Sequence, residues 1–232
     1  MSMISTTGPL AAGQNIERRL SRVQAVAGSL FFLFLVMHLS NIAIAPLGAE
    51  AFNGYQAKLR KIYQQPILEL VLVILPLVVH VAAGISLAVL RRGRRGRRAL
   101  RQRVHTWAGV FLSLFIVEHV TATRGVSYFL GAYPGFEGVA FTFWWAPAYF
   151  YPYYFLLALA GFYHGTQGVR ILLARVGVVT RAKYQVPMTL VAAVWIAVVL
   201  LALGGHLFEI GNPIDNDYAR TYAELFDLDL SQ

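Results

Sequence analysis

An all-α integral membrane fold, a five-helix transmembrane bundle with a duplicated two-helix unit, is predicted by three observations. Of 232 residues, 57% are hydrophobic and only 13% are charged, and the mean hydropathy is +0.57, a balance that belongs to membrane chains. Five apolar runs follow one another, each near the roughly 20 residues that cross a bilayer. Finally, a set of residues recurs in register. Arg22-Val23, Ala27-Gly28 and His38 return as Arg103-Val104, Ala108-Gly109 and His119, while His80, Gly84 and Arg91 return as His164, Gly168 and Arg175.

Residues 1–20 read as a poorly structured N-terminal arm, 21–210 as the five-helix domain and 211–232 as a C-terminal tail. The first span covers about 23–47; its apolar stretch is too long for a signal peptide and no small-residue cleavage site follows, so it is read as a retained helix. In the connection 48–65, Phe52, Tyr55, Leu59 and Ile62 recur at helical spacing among polar residues, which predicts a short amphipathic helix at the membrane surface. The second span covers 66–90. The connection 91–103 is almost pure Arg and Gly and suits lipid phosphates or an acidic partner face. After the third span, 104–122, a long connection 123–147 runs into Phe141, Phe143, Trp144, Trp145, Tyr149 and Tyr151, which read as an interfacial aromatic belt. Spans at 148–173 and 186–208 complete the set.

Charge fixes the expected orientation. With the N-terminus inside, 15 of the 20 Lys and Arg fall on inner segments, and only Lys58, Arg60, Lys61, Arg124 and Arg220 fall outside. The positive-inside rule therefore predicts a multi-pass protein of the plasma membrane with a cytoplasmic N-terminus and an outer C-terminus. The formal net charge of +9 is a topology signal on this reading. Nucleic-acid binding is disfavoured, because the basic run lies between two spans and has no interleaved aromatics. The absence of cysteine excludes disulfides, iron–sulfur ligation and covalent haem attachment within this chain.

Four histidines lie one each on the first four spans. His38 is 16 residues from Arg22 and His119 is 16 from Arg103, so both sit roughly 24 Å from the inner ends of their helices. His80 and His164 each lie 11 residues before an inner arginine, roughly 16 Å from that end. One level pair at each depth is what two planar macrocycles between helices require, each iron taking an imidazole from either side. A buried histidine bonded to a neighbouring helix would explain any one of the four, but ionisable residues in lipid are costly, and four at matched depth in a repeat point to two bis-histidine haem sites. Zinc and di-iron sites draw on His-x-x-x-His or Glu-x-x-His pairs, which the chain lacks. Gly84 and Gly168 follow their histidines by four residues and are expected to admit a porphyrin edge; Gly28 and Gly109 lie at the depth of the other haem. His105 and His206 have no repeat partner and are assigned to neither iron.

Five spans with one histidine on each of the first four resemble the dihaem cytochrome b membrane anchor of the succinate dehydrogenase and fumarate reductase family. The resemblance covers about residues 20–210. It implies two haem b groups, with His38 and His119 on the distal one and His80 and His164 on the proximal one, nearer an iron–sulfur subunit. It also implies that Gln24 and Arg175 hold proximal propionates. The implied partners are the iron–sulfur and flavoprotein subunits of one complex, membrane lipid and a quinone, with menaquinone the expected form. One departure is Phe162, where some menaquinone-linked members carry a proton-conducting glutamate.

The chain is thus expected to be the electron-transfer and quinone-reactive subunit of a succinate:quinone oxidoreductase, with the dicarboxylate chemistry on another subunit. Glu69, Glu118 and Arg124, with Asn41 nearby, lie near the outer level and are the expected quinone and proton-handling residues. The plainer reading, that Glu69 and Arg124 merely occupy water-facing helix ends, stands beside it, as does an inner quinone site near Gln102, His105 and Trp107. A dihaem cytochrome b serving a hydrogenase or formate dehydrogenase and a haem-free structural anchor are the alternatives.

Overall fold

A computed structural model describes residues 9–92, 99–178 and 181–230, and among these it contains helices and no strand. The Arg94, Arg95, Arg97 and Arg98 part of the basic connection lies outside the described residues. Helix α1, Pro9–Ala43, has 35 residues and is therefore about 52 Å long, well beyond the roughly 30 Å of bilayer hydrocarbon. Residues 9–20, expected to be irregular, form its first turns. Gln, Glu, Leu and Arg are good helix formers there, and an established helix propagates into them without a new nucleation step.

A single turn of 3₁₀ helix, Ala45–Leu47, ends at Gly48, whose φ of +96° suits a residue without Cβ. Helix α2, Ala49–Tyr63, follows and buries Phe52 and Leu59 while exposing its charged face. Helix α3 spans Pro66–Leu90 and contains a π turn at Leu70–Ile74. Pro76 explains the turn: its ring has no N–H and would crowd the carbonyl four residues back, and the wider turn relieves that crowding.

Helix α4, Leu100–Phe129, also carries a π turn, at Thr121–Gly125. It runs into what was expected to be a connection, and much of the remainder forms helix α5, Phe136–Trp145. The aromatics there are not simply a surface belt: Phe141 and Phe143 are core residues, whereas Trp144 and Tyr149 are exposed. Helix α6, Pro147–Arg175, is followed by α7, Gln185–Leu203. Helix α7 stops in a two-glycine turn, in which the N–H of Gly205 bonds Ala202 O at 3.1 Å and that of His206 bonds Leu201 O at 2.8 Å. These bonds satisfy carbonyls that the helix end would leave orphaned. The tail forms α8, Asp217–Phe226, with Asn216 capping it through a 2.9 Å bond from Ala219 N.

Four of these helices, α1, α3, α4 and α7, are long and apolar enough to cross a membrane, and they make the chain an integral membrane protein. Helix α6 has 29 residues but is too polar to join them on composition. Helix α1 packs along α3 and against α6, and α6 packs on both α4 and α7. The spans keep their apolar side chains outward: Leu114 and Val117 on α4 are 70% and 67% exposed. Buried residues concentrate instead at one end, where α2, α5 and α8 meet the ends of α6 and α7 around Phe52, Phe136, Phe141, Leu203 and Tyr218. This is the aromatic end of the bundle. At the opposite, arginine end, Arg91 pairs with Glu17 at 2.8 Å.

Candidate functional site

Helices α1 and α4 bring His38 and His119 together with ring centres 5.8 Å apart and planes at 74°. Helices α3 and α6 do the same for His80 and His164, at 6.0 Å and 88°. Two imidazole nitrogens held about 2 Å either side of one metal ion put their ring centres roughly 6 Å apart. Both separations therefore suit axial ligation of an ion between the rings. Among the described residues no group of three or more His, Cys, Asp or Glu is placed to hold a metal ion. Each pair therefore offers two imidazoles, fewer than the three or four side-chain ligands of a metal site built from protein alone.

What surrounds the second pair orients it. His80 Nδ1 lies 2.9 Å from the Gln24 carbonyl oxygen, and His164 Nδ1 lies 3.2 Å from that of His105. A carbonyl only accepts, so each imidazole donates from Nδ1 and keeps its lone pair on Nε2. This is the arrangement by which metal-binding histidines are usually fixed. The ring of each histidine rests on a glycine one turn beyond that carbonyl. A Cβ on Gly28 would come within 2.5 Å of His80 Nδ1, and one on Gly109 within 2.8 Å of His164 Cε1. These two glycines thus make room for the imidazoles themselves. The other two differ from each other: a Cβ on Gly84 would meet the Gln24 amide at 2.9 Å, while one on Gly168 would meet nothing.

Gln24 and Arg175 lie on the arginine side of this pair. Arg175 crosses from the end of α6 to α1 and donates from Nη2 to Ser21 Oγ at 3.0 Å, one turn before Gln24. His105 meets His164 edge-on, with ring centres 4.2 Å apart and planes at 63°, and its buried Nδ1 has no partner. Sequence spacing gave no sign of this contact, although His105 occupies the repeat position of Gln24.

The three residues expected to handle quinone and protons divide into two places. Arg124, on the π turn of α4, grips Glu69 on α3 through both ends of its fork, from Nε to Oε1 and from Nη2 to Oε2, the latter at 2.7 Å. Glu69 is buried. A two-pronged pair of this kind is both directional and strong. Glu118 stands apart on the exposed face of α4, where its carboxylate accepts from Tyr149 Oη at 2.7 Å. Asn41 is buried on α1 with Oδ1 unpartnered. The tyrosine partner of Glu118 was not singled out as functional from the sequence, because 31 residues and a helical turnaround separate the two.

No protein-family model, curated protein or solved structure matches this chain.

Proposed function

We propose that the chain is the membrane-anchor cytochrome b subunit of a succinate:quinone oxidoreductase, holding haem b between His38 and His119 and again between His80 and His164. The observation that carries this reading is the pair of imidazole couples at ring separations of 5.8 and 6.0 Å, one of them held in the ligating tautomer from both sides. Haem supplies one-electron transfer when bound. The protein's own contribution is to fix the imidazoles, keep water from the two sites and exchange protons at the quinone.

The α6 helix is the fifth span on this reading. Its low hydropathy arises in part from side chains that meet other helices, His164 against His105 and Thr166 accepting from Gln185 Nε2 at 2.9 Å, and in part from a buried Gln167 that accepts from Arg170 on the same helix at 2.7 Å. The arginine end faces the cytoplasm, where iron–sulfur and flavoprotein subunits deliver electrons, and the His80–His164 pair is proximal to them. Quinone, menaquinone in the form the resemblance favours, reacts near the aromatic end, close to the distal pair. There Glu69 with Arg124, and Glu118 with Tyr149, each place a carboxylate beside a hydrogen-bond donor, the combination that proton exchange at a quinone needs.

Purified protein should contain two b-type haems per chain by pyridine haemochrome analysis. His80→Ala or His164→Ala should remove one and His38→Ala or His119→Ala the other. One haem or none in the wild type would overturn the reading and leave the haem-free anchor in its place.

A further inference from the structure

The C-terminal helix docks at an unusual place on the bundle. Val126 N–H bonds the carbonyl of Thr121, five residues back, which is what makes Thr121–Gly125 a π turn. In an ordinary α-helix that N–H would bond Ala122 O, four residues back. Ala122 O is instead occupied from outside the helix. Tyr218 Oη donates to it at 2.9 Å and Tyr222 Oη at 3.4 Å.

The docking is built for these two rings. Tyr218, Ala219 and Tyr222 are buried, and the two tyrosine rings lie 4.7 Å apart, with Tyr222 also against Phe141 and Trp145. Gly138 on α5 admits Tyr218, since a Cβ there would sit 3.1 Å from the ring. Burial raises the pKa of both hydroxyls, so they remain protonated donors. Arg220 braces the helix start by pairing with Asp215 at 2.6 Å and Asp217 at 3.0 Å.

We infer that α8 is a latch in which the Tyr218 and Tyr222 hydroxyls, by occupying Ala122 O, hold the π turn of α4 and so keep Arg124 turned toward Glu69. Without the hydroxyls a partly buried carbonyl lacks a partner, and the nearest repair is transfer of the Val126 N–H to Ala122 O. Transfer converts the π turn to α-helix. The segments on its two sides then rotate relative to each other by roughly a quarter turn. Rotation of that size carries Arg124 away from Glu69. Tyr218 and Tyr222 are therefore positioning residues for the ion pair, and their effect on turnover, though not the latch itself, rests on the quinone reading above.

The native chain has no cysteine, so single thiols report on the turn cleanly. Ser127→Cys, just beyond it and 5% exposed, should resist maleimide in the otherwise native full chain in membranes and react roughly tenfold faster when Tyr218→Phe and Tyr222→Phe are added. Ala83→Cys, buried on α3 to the same 5%, should stay protected in both backgrounds. Tyr218→Phe alone, which retains the weaker Tyr222 bond, should give an intermediate rate. Equal labelling of Ser127→Cys with and without the hydroxyls overturns the latch, as does labelling of both cysteines together, which reports general unfolding. In the assembled complex the double Phe variant should raise the KM for quinone several-fold and leave succinate oxidation with a soluble acceptor unchanged. An unchanged KM, with Ser127→Cys labelled faster, overturns the positioning of Arg124 and leaves the latch; a wild type without quinone turnover refutes the quinone reading and leaves labelling as the test.

Discussion

Gly28 and Gly109 set how closely the rings of His80 and His164 approach α1 and α4. Each faces an imidazole across a helix contact so close that a methyl group would collide with the ring, at 2.5 and 2.8 Å. Gly28→Ala should therefore push His80 off its carbonyl partner, and Gly109→Ala should do the same to His164. On the proposed function, each variant should lose the proximal haem, or show it with an altered spectrum and potential, and keep the distal one. Gly168→Ala, whose new methyl group meets nothing, should leave both spectra unchanged. An equal effect of all three substitutions would show that helix packing, and not the ring contact, is the sensitive feature. The depth of these glycines was legible in the sequence because helical rise is constant. Their partner was not, because one strand of spacing does not reveal which neighbouring side chain leans into the gap.

At the scale of elements, apolar runs located α1, α3, α4 and α7 well, and apolar residues at helical spacing among polar ones located α2. The misses share a cause. Helix α4 continues through Thr121–Gly125, and α5 and α8 form in stretches that lack a span's hydropathy; they are stabilised by packing on one another, through contacts such as Phe141 with Tyr222 at 6.3 Å. Such contacts join residues about 80 apart in sequence, and local periodicity does not report them. Helix α6 is the converse case, too polar by composition yet with polar groups such as Thr166 and Arg175 bonded to other helices. Its status has a direct test. If α6 crosses, the chain has five spans, and reporters fused in the 91–103 connection and at residue 232 should read cytoplasmic and external respectively. A cytoplasmic C-terminus would mean four spans and would place α6 along the membrane.

The whole molecule is polarised. One end gathers arginines around the His80–His164 pair, and the other gathers tyrosines, tryptophans and the Glu69–Arg124 pair near His38–His119. On the proposed function this separation makes turnover a movement of electrons across the membrane, because the iron–sulfur donor and the quinone occupy opposite ends. The two carboxylates at the aromatic end then have distinguishable work. Glu69 is clamped by Arg124 and buried, so Glu69→Gln should disturb the position of Arg124 as well as remove an ionisable group. Glu118 is exposed on α4, where its carboxylate accepts from Tyr149 Oη, so Glu118→Gln should remove an ionisable group with little structural consequence. Both should lower quinone turnover by at least about tenfold if each exchanges protons there, while both haems stay bound and succinate activity with a soluble acceptor persists. The KM for quinone should rise in Glu69→Gln and stay near the wild-type value in Glu118→Gln. Normal turnover in both variants, combined with loss on changing His105 or Trp107, would move quinone to the arginine end, where the unpartnered Nδ1 of His105 would supply the hydrogen-bonding group, and the separation of donor and acceptor across the membrane would disappear with it.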